Sequence, residues 1–190
     1  MEKQKDYRIQ VSKQMIKEGF IELLQKKSIR EITVKELCLH VHINRSTFYT
    51  YFFDLYDLLN HIEQEMYEDL KYTLDHCSYE MADLDNSIYN SIFSFFIRHQ
   101  KMSFVLLCKD ADAKFVHKVI EMGKQKFYEV YQTFGVRYDR TRLEYFYIGV
   151  SNMYLGIISH WLNSGMVESP KEIASITKDI VSSSLSFFRR

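Results

Sequence analysis

A single proline and six glycines in 190 residues are too few for a turn-dense β-sandwich or barrel, and they exclude collagen-like and low-complexity chains. The three cysteines, Cys38, Cys77 and Cys108, are odd in number and far apart. With no CxxC and no Cys/His cluster at ligand spacing, neither a disulfide frame nor a zinc site is supported, and the seven scattered histidines add no metal signature. No nucleophile motif, glycine-rich phosphate loop or paired-carboxylate signature is present, so the sequence predicts neither an enzyme nor a cofactor. No apolar run follows the opening Met-Glu-Lys-Gln-Lys-Asp, which predicts no signal peptide and places the chain in a reduced cytoplasm. Residues 145–167 contain no Asp, Glu, Lys or Arg and are long enough to span a bilayer. Ser151, Asn152, Ser159, His160 and Asn163 lie inside that stretch, however, and their cost in lipid favours a buried helix.

What the chain does have is core material: 46% hydrophobic residues against 26% charged, with 14 Tyr and 14 Phe. Net charge is zero, but it is unevenly laid out. Residues 1–53 carry ten Lys/Arg against six Asp/Glu, and the remainder carries fifteen against nineteen. A basic head on an acidic body points to a polyanion partner for the head.

Helical periodicity runs from end to end, and no segment alternates with period two. Residues 7–26 place Ile9, Ile16, Phe20, Leu23 and Leu24 at helical spacing. Thr33 and Glu36 read as a capping box that opens a short helix to about His40. Asn44 is a good N-cap for a second short helix, Arg45 to about Tyr51, and Asp54 for a long one to about residue 76. Further helices are expected from Asn86 or Ser87, from Asp110 or Asp112 to before Gly135, and from Asp139 to about Asn163. Ser169-Pro170-Lys171-Glu172 opens the last one. The prediction is an all-α fold of about nine helices, with a head at residues 1–53 and a helical body at residues 54–190 that begins with the long helix.

Residues 33–52 carry the chemistry. Two short helices joined by a tight turn, the second with a cation and small polar groups at its start, make a helix-turn-helix. Arg45 can bond a guanine edge, Asn44, Ser46 and Thr47 a base or phosphate, Tyr49 and Tyr51 phosphates, and Lys35 the backbone.

Residues 7–62 resemble the N-terminal DNA-binding domain of the tetracycline-repressor (TetR) family, and the stretch TVKELCLHVHINRSTFYTYFFDLYDLL, residues 33–59, carries the match. Thr33, Leu37, Ile43, Thr47, Phe48, Tyr49, Tyr51, Phe52, Leu58 and Leu59 fall where that pattern expects their type. The resemblance implies a homodimeric, ligand-responsive transcription factor of repressor type, on a palindromic operator in double-stranded DNA, with an unknown small-molecule effector. The alternative is a regulator that acts through a protein partner with no such effector. Two departures stand out. His42 occupies the turn position where the family usually has Gly, and Leu55 stands where it usually has a phosphate-contacting Lys. Cys38 replaces the usual small Ala and is expected to pack between the two short helices. The segment GIISHWLNSGMVESPKEIA is similar to the end of the C-terminal domain in the subgroup of dihydroxyacetone-kinase-type regulators.

In the body, Leu143, Tyr147, Val150, Tyr154, Ile157 and Trp161 repeat at coiled-coil spacing, while Gly149, Asn152, Gly156, His160 and Asn163 form a small or polar stripe. Two helices per subunit would make a four-helix dimer bundle, with Val150, Ile157, Trp161, Ile176 and Ile180 as its contacts. The aromatic load fits an apolar ligand cavity, for which Met66, Phe96, Phe104, Phe127, Tyr147 and Tyr154 are the candidates.

Overall fold

The computed structural model describes residues 2–77, 84–109, 113–133 and 139–188. Among these residues there are nine α-helices and no strand: α1 Glu2–Leu24, α2 Val34–His40, α3 Arg45–Tyr51, α4 Leu55–Asp75, α5 Leu84–Arg98, α6 Gln100–Phe104, α7 Ala113–Thr133, α8 Arg140–Asn163 and α9 Pro170–Phe188. A 3-10 turn at Ile29–Glu31 leads into α2, and a π-helical turn at Val105–Lys109 continues α6. The chain divides into two compact units, Met1–Met66 and Tyr67–Arg190, so the division falls inside α4 and not ahead of it. The reason lies in the first turns of α4. Leu55, Leu58, Ile62 and Met66 are all buried, Phe52 meets His61 edge-on at 5.5 Å, and Lys17 of α1 pairs with Glu65.

The helix starts follow local chemistry. The Thr33 hydroxyl accepts from the Glu36 N–H at 3.1 Å. Glu36 does not complete a box, because Lys27 takes its carboxylate at 2.6 and 2.7 Å. Asp54 accepts from the Asp57 N–H at 2.8 Å, and Asp57 in turn accepts from the Phe53 N–H at 2.9 Å. Ser169 and Glu172 exchange both bonds of a capping box, at 2.8 and 3.3 Å. Asp139 accepts from the Thr141 N–H at 2.8 Å. Helix α5 starts at Leu84, ahead of Asn86, while Asp110, Asp112 and Gly135 lie outside the described residues.

In the head, α1 packs on α2 and α2 on α3. Ile16, Phe20, Leu37 and Phe48 are fully buried, and Phe48 packs on Phe52 at 5.8 Å. Helices α1 and α2 meet closely at Gly19, where a Cβ would lie 2.1 Å from Val41 Cγ1. In the body, α5 packs along α9, and α8 touches α6, α7 and α9. Its centre is aromatic: Phe93 and Phe95 are fully buried, and Phe93 meets Trp161 edge-on at 5.5 Å. The charge-free stretch forms most of α8 and buries Phe146, Tyr147, Ile158, Trp161 and Leu162. Among the described residues no helix is long and apolar enough to cross a membrane.

Candidate nucleic-acid interface and ligand cavity

The turn between α2 and α3 is built from backbone bonds. Ile43 N–H donates to the Cys38 carbonyl at 2.9 Å and His42 N–H to the Leu39 carbonyl at 3.4 Å, around His42 at φ 54°. This is the Schellman pattern, whose left-handed residue is usually Gly. His42 occupies it at a backbone cost that His tolerates better than most residues. Cys38 is buried beneath the turn, and burial pushes its thiol pKa up, with Arg45 acting in the opposite direction.

Helix α3 turns Phe48 inward and exposes Arg45, Ser46 and Tyr49, while Thr47 is half-buried. Asn44 stands at the N-cap position with an extended backbone, yet its side chain makes no capping bond and is exposed. The side-chain cap expected of Asn44 is therefore not made, and only its backbone carbonyl takes part, accepting from the Thr47 N–H at 3.0 Å and the Phe48 N–H at 3.3 Å as at any helix start. Lys35 is exposed in the first turn of α2. Tyr51 is only half-buried, and the Lys13 ammonium sits 5.7 Å above its ring. Residues 37–53 contain no Asp or Glu, so the cations here oppose no local anion in the sequence.

Leu55 is buried, so the departure at this position adds a core contact where the family has a cation. Two exposed aromatics beside the reading helix escaped the sequence reading, Phe53 at 83% exposure and Tyr56 at 56%. Hydropathy points such residues inward, and only the capped break at Phe53–Asp57 shows otherwise.

The body holds a half-open cavity of about 290 Å³. Phe96 of α5, Phe127 of α7, and Tyr147 and Tyr154 of α8 line it. Met66 and Phe104 do not. Met66 is buried in the head unit, and Phe104 is half-buried in α6 away from the lining. The sequence reading missed Tyr89, Phe146, Gly123 and Lys126, which complete much of the wall. At Gly123 a Cβ would come 2.9 Å from the Tyr147 hydroxyl, so a larger residue there would push on that side chain. That hydroxyl donates to the Ile120 carbonyl. Tyr89 and Tyr154 stack at 5.8 Å with 15° between their planes, side by side on the wall. Burial holds the pKa values of Tyr147 and Tyr154 well above the ordinary phenol value, so both stay neutral.

Two residues expected at a dimer contact lie inside their own subunit. Val150 lines the cavity, and Trp161 is fully buried with its indole N–H donating to the Glu168 carbonyl at 3.0 Å. Ile157 is half-buried. Ile176 and Ile180, one turn apart on α9, are 47% and 42% exposed. On α8, Tyr145, Ile148, Gly149, Asn152 and Gly156 are exposed at helical spacing, and a Cβ at either glycine would meet nothing within 4 Å. Asn152 returns its amide to the Ile148 carbonyl at 2.8 Å, so it presents a satisfied surface. No group of three metal-binding side chains occurs among the described residues.

Residues 86–183 match the TetR C-terminal family model, described as a transcriptional regulator C-terminal region. The chain belongs to the TetR family of transcriptional regulators. These regulators are DNA-binding proteins and not enzymes. A protein from Syntrophomonas wolfei described as a TetR-family transcriptional regulator shares the fold with a TM-score of 0.71 at 12% identity, covering 91% of this chain and 94% of that one. A TetR transcriptional regulator from Streptococcus agalactiae gives 0.65 at 21% identity over 95% and 99% of the two chains. The dihydroxyacetone kinase operon activator DhaS gives 0.63 at 16% identity over 94% and 98%. No curated protein matches the chain by sequence.

Proposed function

We propose that this TetR-family chain is a homodimeric, operator-binding transcriptional regulator whose DNA affinity is set by a small ligand in the body cavity. The observation that carries the reading is the exposed start of α3, where Asn44, Arg45 and Ser46 stand on a helix fixed by the buried Phe48 and by the His42 turn. A helix presented this way enters a major groove with its N-terminal side chains at the base edges. Lys35, Thr47, Tyr49 and Tyr51 supply the flanking contacts.

A dimer is supported by the exposed apolar and small residues of α8 and α9, which need a partner to leave water. Two reading helices must meet successive major grooves about 34 Å apart. A ligand that binds better to the subunit arrangement with a different spacing then lowers operator affinity, by its differential affinity for the two states. The cavity favours this reading over regulation through a protein partner alone. The repressor sign rests on the family resemblance. DhaS, named as an activator, shares the fold, so the fold itself is compatible with either sign.

The test needs no known operator. Binding to mixed-sequence duplex DNA is measured across a salt series. Log affinity should fall linearly with log salt, and Lys35→Ala should reduce the slope by about 1 unit if it neutralises one phosphate. No binding at low salt, or a slope unchanged in both Lys35→Ala and Arg45→Ala, would overturn the reading.

A further inference from the structure

We propose that the body cavity selects an uncharged, apolar ligand of medium chain length, held by one hydrogen bond at the Tyr89–Tyr154 hydroxyl pair. The proposal rests on the ligand-gated reading above and adds the chemical class of the ligand.

The walls argue against either charge. Among the described lining residues there is no Asp, Glu or His, and Lys126 is the one charged residue. Its ammonium lies 3.2 Å from Asp75 and 3.6 Å from Glu129. An anionic ligand would therefore compete with two carboxylates for one cation that already has them. A cationic ligand would face the like charge of Lys126 and find no wall carboxylate to replace its lost water. A buried charge without a partner is strongly disfavoured.

The same walls favour an apolar body. Tyr89, Phe96, Phe127, Phe146, Tyr147 and Tyr154 give six aromatic surfaces. The volume of about 290 Å³ sits at the small end of ligand pockets, which suits a chain of medium length. The hydroxyls give orientation. The hydrogen of Tyr147 is committed to the Ile120 carbonyl. Tyr89 and Tyr154 stand stacked on the wall, and their two hydroxyls hold two hydrogens and four lone pairs, so that even where they bond each other the pair can bond a ligand hydroxyl or carbonyl.

The experiment uses the full chain with three probes that share one tail: decanol, decanoate and decyltrimethylammonium, each below its aggregation limit. Melting is followed by intrinsic Tyr and Trp fluorescence. Decanol should raise the melting temperature by several degrees, and the two ions by much less. Calorimetric titration should show decanol affinity reduced by up to about tenfold in Tyr154→Phe, which keeps the ring and removes one hydroxyl. A larger shift with decanoate or with the ammonium would overturn the ligand class and leave ligand gating standing. No shift with any probe would overturn both, while the DNA-binding part is tested separately by the salt series. Equal decanol affinity in Tyr154→Phe would overturn the anchor.

Discussion

Gly19→Ala separates packing from propensity with opposite signs. In a helix interior, Ala is favoured over Gly by about 1 kcal/mol, so propensity alone predicts a more stable protein. The structure predicts the reverse. A Cβ at position 19 would lie 2.1 Å from Val41 Cγ1 and 3.2 Å from His40 Cδ2, whereas carbon atoms rest at about 3.5–4.0 Å. Helices α1 and α2 must therefore part by more than an ångström, or Val41 must leave its buried site next to the left-handed His42. Overpacking of this kind costs about 1–3 kcal/mol, which meets or exceeds the propensity gain and leaves a net loss of up to about 2 kcal/mol. Urea unfolding of Gly19→Ala, Val41→Ala and the double variant completes a cycle. Val41→Ala removes the clashing methyl, so the double variant should be less destabilised than the sum of the two singles by at least about 1 kcal/mol. A stabilised Gly19→Ala, or additive singles, would refute the close approach of α1 and α2.

Trp161→Phe should lose about 1 kcal/mol of stability with its indole bond to Glu168, and leave dimer dissociation unchanged, as sedimentation at several concentrations would show. The double variant Ile176→Glu/Ile180→Glu should keep its fold and dissociate to monomers in the same assay, because both side chains are exposed within the subunit. His42→Gly should change thermal stability by less than about 1 kcal/mol, since relief of left-handed strain is offset by a more flexible unfolded chain. Glu172 has its pKa held below the ordinary value of 4.5 by bonds from the Ser169 hydroxyl and N–H. A lowered carboxyl pKa stabilises the fold above the unfolded-state value and loses that contribution as pH falls through the folded one. Glu172→Gln should therefore flatten the acid limb of the stability–pH curve, read by thermal melts between neutral and acid pH.

Local chemistry was legible in the sequence where the partners are three or four residues apart. Ser169 and Glu172 close the box their spacing foretells, and the Thr33 hydroxyl makes one half of the other. Glu36 departs from it because Lys27, nine residues back, reaches the carboxylate through tertiary structure. The exposed polar start of α3 follows from the amphipathic pattern around Phe48. The heptad-like stripe on α8 announced a buried seam but not what covers it. Tyr147, Val150 and Tyr154 face the chain's own cavity and Trp161 its own core, while the opposite residues Tyr145, Ile148 and Gly149 stay exposed. Met66 and Phe104 show the same limit, since apolar character marks burial and says nothing about which buried side chains border empty space.

The most direct test of the account is selection from a random duplex library on the purified protein, with the Arg45→Ala/Thr47→Ala double variant as control. The account predicts an enriched palindrome with half-sites about one helical turn apart, lost in the double variant. No enrichment, or the same enriched sequence with the double variant, would contradict it.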